Sequence, residues 1–123
     1  LLMFTRSDYG TFPIWHKEAD LWLLNLETGK SFPAKEINSE DAESYHSWSS
    51  NGKWLVFSSR REDSRYTRLY FSHFDEEGRF SKPFLLPQKK AELNHLRLKS
   101  YNIPEFVRGE VPDRQKEIKK LFD

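Results

Sequence analysis

Few side chains along this sequence have the types that chemistry needs, and they are spread thinly. Asp41, Ser44 and His46 offer an orienter, a nucleophile and a base. In a strand, Ser44 and His46 flank one residue and therefore share a face side by side, and no G-x-S-x-G turn presents a serine. These residues read as a polar strand face, and no catalytic residue is assigned. His16, His46, His73 and His95 are scattered without helical i,i+4 pairing or a cysteine ally. A zinc-type site needs three or four convergent ligands, so neither metal nor cofactor is expected. Arg60, Arg61, Arg65 and Arg68, beside Tyr66 and Tyr70, have the types of a nucleic-acid grip, but Glu62 and Asp63 interrupt them. The expectation is a solvated, internally paired loop, the alternative reading being a protein or glycan contact. Trp15 stands in the proline-containing segment FPIWHKE, where its ring can close over one end of the fold or meet a sugar.

Bulk properties narrow the field further. Formal charge is +1, from 20 basic and 19 acidic residues that are interleaved, so no single-sign field would steer a nucleic acid or an anionic membrane. The absence of cysteine excludes disulfides, thiol nucleophiles and thiolate metal sites. No apolar stretch reaches the length of a membrane span. Leu1-Leu2-Met3 lacks the basic flank and cleavage region of a signal peptide, and the sequence begins inside a strand as a piece of a longer chain would. Aromatic residues make up 15% of the chain, which suits short half-buried strands built around a few large rings.

Strands are the elements that must position these groups. LLMFTR at 1–6 is a strand, and DLWLLNLETGK supplies a second through Leu21, Leu23 or Leu24 and Leu26 before a turn at Gly29. Residues 31–43, punctuated by proline, read as an outer strand or connector. Residues 45–48 form a strand, Ser49-Ser50-Asn51-Gly52 a turn in which Asn and Gly tolerate positive φ, and 54–59 the next strand. A third strand at 68–74 follows, and Phe84-Leu85-Leu86 between Pro83 and Pro87 has the place of an edge strand. Antiparallel pairing of 45–48 with 54–59, and of 54–59 with 68–74, is expected.

Two halves align. Leu21, Trp22 and Leu26 match Leu69, Tyr70 and Phe74, and LLMFTR matches WLVFSSR. A spacing of about 50 residues built of short strands marks propeller blades. The fold class is accordingly all-β: a partial β-propeller of about two antiparallel four-stranded blades over 1–90, the first incomplete at its N-terminus, with the last three strands of one blade in 1–37 and a full blade in 43–87. Residues 91–123 form a C-terminal extension that ends as a short helix with Ile118, Leu121 and Phe122 on one side. Trp22, Trp48 and Trp54 are expected in the blade core.

The run Trp48-Ser49-Ser50-Asn51-Gly52-Lys53, followed by an apolar strand and Ser-Ser, resembles the W-S-P-D-G-K motif of TolB-type, WD-repeat-like β-propellers, with Ser50 and Asn51 in place of the usual Pro and Asp. Together with FPIW, SRRED, LYF, KPFLLPQ and YNIPEF, it is similar to the C-terminal region of such proteins from Bacteroidetes-type bacteria. The resemblance implies a periplasmic or envelope-associated propeller that serves protein interactions and biopolymer transport, and it carries over no catalytic residue. The expected function is therefore non-catalytic protein recognition or scaffolding, with binding residues Tyr45, His46, Arg60, Arg61, Arg65 and Trp15 and a peptide or acidic protein segment as partner. The alternatives are the propeller of a larger prolyl-oligopeptidase-like hydrolase and a glycan-binding propeller. Unpaired edges and open aromatic faces predict self-association of the isolated piece. Charge reversal at Arg61 or Arg65 is expected to leave folding nearly intact.

Overall fold

The computed structural model describes residues 1–122 and contains two antiparallel sheets. The first has three strands in the order β1 (Leu2–Arg6), β2 (Asp20–Leu24) and β3 (Ser31–Pro33). The second has four, β4 (Glu43–Trp48), β5 (Trp54–Ser59), β6 (Arg68–His73) and β7 (Phe84–Leu85), each beside its neighbour in sequence. The all-β class and both expected pairings around β5 hold, and no helix interrupts 45–74. No closed ring is formed by these two sheets.

Alternation explains the packing. Leu21 and Leu23 of β2 join Met3 of β1 in the core, while Leu55 and Phe57 of β5 meet them from the other sheet with Tyr70 and Phe80. One core thus lies between the two sheets, and β5 buries its other face as well, at Val56 and Ser58. The turn into β5 is tightened by Gly52 at φ 68°, with Ser49 Oγ accepting the Trp54 N–H at 2.9 Å. Asn51 does not share the positive φ; its side chain instead accepts from Lys53 N–H and Ser49 Oγ.

The repeat is visible in the register. Phe4 opposes Trp22, and Phe57 opposes Tyr70, so the residues matched by sequence are cross-strand partners in their own sheets. The correspondence extends to the outer strands, which the sequence comparison did not reach: Phe32 opposes Leu23 as Phe84 opposes Phe71. Leu26 departs from it, because β2 ends at Leu24 and Leu26 is exposed in the turn.

Beyond β7 the chain folds back over the second sheet. Ser58 Oγ donates to the carbonyls of Tyr101 and Asn102, Tyr101 N–H donates to Thr67 O, and the Phe106 ring packs edge-on against Phe71. A short helix α1 (Leu93–Leu96), which the sequence did not suggest, lies within this extension. The expected terminal helix is α2 (Gln115–Lys119); Ile118, Leu121 and Phe122 remain exposed, so no apolar face is docked. No helix among the described residues is long and apolar enough to cross a membrane.

Candidate functional site

β4 carries an irregularity that decides what the neighbouring arginines do. Ser44 opposes Ser58 and Ser47 opposes Val56, so one extra residue is inserted at Tyr45-His46, and Tyr45 takes φ 43°. Regular alternation would put Glu43 and Trp48 on opposite faces; the bulge restores them to one. Trp48 therefore packs on the core while Glu43, fully buried, turns inward beside Ser59.

Glu43 is held from three directions. Its carboxylate accepts from Ser39 N–H at 2.8 Å and Ser39 Oγ at 2.6 Å, from Ser59 Oγ at 2.7 Å, and from the Arg61 guanidinium at 2.9 Å. Arg61 also donates to the Ile37 carbonyl at 2.6 Å and lies 4.6 Å from the Tyr70 ring centroid. The network joins the segment after β3 to the second sheet. Burial, and then the Glu43 charge, raise the Asp20 carboxyl above its ordinary value. The Tyr70 hydroxyl, desolvated and donating to Glu62, is pushed far above the ordinary phenol value.

The adjacent Arg60 points elsewhere. Phe12 at φ 55° and Pro13 open a single 3-10 turn, Pro13–Trp15, that buries Ile14 against Ala19 and Ala42 with Tyr45 alongside. The same turn leaves Trp15 68% exposed. Arg60 donates to the Ile14 and Ser64 carbonyls and places its guanidinium carbon 5.2 Å from the Trp15 ring, while its Nε is buried without a partner. Arg65, exposed, completes a groove that Thr67, Ser100 and Asn102 also line. Neither Arg60 nor Arg65 forms an ion pair among the described residues.

Of the residues singled out from sequence, the fold brings together Trp15, Arg60 and Arg65, with Tyr45 packed beneath the turn that presents Trp15. Arg61 is not with them: the expected solvated loop is wrong for it, because Glu43 and the Ile37 carbonyl draw it inward. Arg68 departs from that reading too. It is buried and donates to the carbonyls of Asn94, Arg97 and Lys99, tying down the C-terminal extension. His46 stands apart, half-buried near the Met3 backbone, and burial lowers its pKa below the ordinary imidazole value.

Asp41 accepts from Ser64 Oγ and Ala42 N–H, whereas Ser44 Oγ and His46 Nδ1 have no partner, so the three form no relay. The bulge also removes the simple alternation that placed Ser44 and His46 on one face. The histidines do not converge, and among the described residues no cluster of potential metal ligands forms. Of the four tryptophans only Trp48 packs against the main core; Trp22 and Trp54 lie on outer sheet faces. Glu43, Ser100 and Asn102 were missed, although a glutamate leading an otherwise uncharged strand was a usable signal for the first.

The chain matches no family model, no curated protein and no solved structure among those compared.

Proposed function

We propose that this chain is a non-catalytic recognition module, two neighbouring blades of a TolB-like propeller, that holds an acidic peptide or protein segment in the Trp15–Arg60–Arg65 groove. One observation carries the reading: the exposed Arg65, without an ion pair among the described residues, lines one groove with a tryptophan ring that is 68% exposed and over which Arg60 is held by the Ile14 and Ser64 carbonyls. Guanidinium groups make charge-assisted hydrogen bonds to incoming carboxylates, and arginine and tryptophan are enriched where proteins meet. The propeller part of the reading is supported by the repeated three-strand unit and by the stacking of the two sheets. A periplasmic or envelope location belongs to it through the TolB resemblance.

A glycan is the second reading, favoured by the open Trp15 ring beside the polar residues Thr67, Ser100 and Asn102. Fluorescence polarisation with a labelled glutamate-rich peptide, and calorimetry with neutral oligosaccharides, separate the two. The expected result is saturable peptide binding that Trp15→Ala and Arg65→Glu weaken several-fold with an unchanged melting temperature, since exposed loop charges contribute little to folding. Sugar binding dependent on Trp15 but not on Arg65 would favour the glycan. Binding of neither would overturn the assignment of the groove.

A further inference from the structure

The turn between β4 and β5 serves neither the core nor the groove, and its side chains are arranged as the parts of a reaction. Asn51 is exposed, and its Oδ1 accepts two hydrogen bonds, from Ser49 Oγ at 2.7 Å and from Lys53 N–H at 3.1 Å. Lys53 N–H can only donate, which fixes the amide with its oxygen toward these donors. The Ser49 proton is directed too, because that hydroxyl uses a lone pair to accept Trp54 N–H at 2.9 Å. Two donors on a carbonyl oxygen polarise its carbon and stabilise an oxyanion that forms there. The Asn51 Nδ2 donates to no group among the described residues, so nothing holds the nitrogen that would leave.

The nucleophile is the next residue. Gly52 stands at φ 68° with nothing within 4 Å of the place a side chain would take, so no Cβ hinders approach of its nitrogen to the Asn51 Cγ. Its N–H donates to the Ser49 carbonyl at 2.8 Å, a bond at an exposed turn tip that opens locally at little cost. The other asparagines lack one part or another. Asn25 Oδ1 also accepts two N–H groups, from Glu27 and Thr28, but Leu26 follows it. Asn38 has its Nδ2 pinned to the Leu21 carbonyl at 2.9 Å, and Asn94 and Asn102 precede His95 and Ile103.

We infer that Asn51-Gly52 is a self-modification site, where the folded turn converts a neutral residue into an anionic one with water as the co-reactant. The Gly52 nitrogen gives its proton to solvent and attacks the Asn51 Cγ. The new C–N bond closes a succinimide ring, the oxyanion at Oδ1 rests on Ser49 Oγ–H and Lys53 N–H, and the side-chain nitrogen takes a proton and leaves as ammonia. Water then opens the ring. Attack at the side-chain carbonyl leaves aspartate at position 51, whereas attack at the main-chain carbonyl leaves isoaspartate, with an extra methylene in the backbone. Either product adds a negative charge beside Lys53, whose ammonium lies 3.6 Å from Glu76. Aspartate still offers an acceptor to both donors and keeps the hairpin; isoaspartate lengthens the loop and loosens its closure between Ser49 N–H and the Trp54 carbonyl.

Peptide mapping by mass spectrometry on the full chain, aged at neutral pH and body temperature with the two products separated by chromatography, tests it. Deamidation at Asn51 should run at least about tenfold faster than at Asn25, which has the doubly bonded oxygen without the glycine. Ser49→Ala should slow the folded chain about three- to tenfold, the worth of one hydrogen bond, and should change nothing in the urea-unfolded chain. The Asn51→Asp chain should keep the wild-type melting temperature. Deamidation no faster at Asn51 than at Asn25 would overturn the proposal. An unchanged or faster reaction in Ser49→Ala would overturn it too, because the turn would then restrain the reaction instead of assisting it, and so would slowing that persists in urea. The Arg65→Glu chain should react as the wild type does, so the turn and the groove succeed or fail separately.

Discussion

Arg6 over Trp22 in the three-stranded sheet and Arg61 over Tyr70 in the four-stranded sheet sit at nearly the same distance from their rings, 4.5 and 4.6 Å. Their surroundings differ. Arg61 is enclosed by Glu43, Ser59 and the Ile37 carbonyl, whereas Arg6 faces solvent beside an unpaired edge. A cation over an aromatic ring contributes about 0.5–1 kcal/mol when exposed, and more when desolvated. What turns the second cluster into part of the fold is the adjoining strand, which brings a buried carboxylate that must be neutralised. The same contrast holds within one sequence step, because Arg60 opens onto a groove while Arg61 closes a sheet interface.

The contrast is tested most severely at the arginines. Arg61→Ala should cost about 3–5 kcal/mol in urea denaturation, because it strands the Glu43 charge in the interior, while Arg6→Ala should cost less than about 1 kcal/mol. Arg61→Glu should be worse still, which reverses the expectation that this reversal would spare folding. Equal effects at the two positions would break the comparison.

A smaller difference is expected between the leucines. Leu55→Ala removes a fully buried side chain and should cost about 3 kcal/mol; Leu2→Ala, at the repeat-equivalent half-exposed place, should cost about 1 kcal/mol or less. The difference follows from the facing sheet: Leu55 shares a core with Met3, Leu21 and Leu23, whereas Leu2 lies on the face of β1 opposite Met3.

The smallest effect concerns His46, where β4 approaches β1. Burial lowers its pKa from the ordinary 6.5, so the unfolded chain takes the proton first as pH falls. Its contribution to stability is therefore fully present above pH 6.5 and declines as pH drops below that value. The melting temperature should fall between pH 7 and pH 5, and His46→Asn should flatten that stretch of the profile. An identical profile in the variant would show that His46 is solvated in the folded chain.

Turns and alternation were legible because they are local. Asn51-Gly52 between apolar runs and the proline-bracketed Phe84-Leu85 both declare themselves within a few residues of sequence. Trp15 was legible as a ring outside the strand pattern for the same reason, since Pro13 two residues before it argues against a central strand. Leu26 misled because composition extends a strand by one more leucine, whereas the Asn25 side chain, accepting from Glu27 and Thr28 N–H, ends it.

By itself, then, the sequence determined an all-β chain with a repeated strand unit and the turn positions. Only the tertiary structure decided which arginine faces out. Arg60, Arg61, Arg65 and Arg68 are alike in type and close in sequence, but a guanidinium goes where its acceptors are. The acceptors of Arg61 and Arg68 are Glu43, the Ile37 carbonyl and the carbonyls of 94–99, all distant along the chain. The parity that turns Glu43 inward depends on one bulged residue opposite Phe57, and that insertion exists only when two strands are laid side by side.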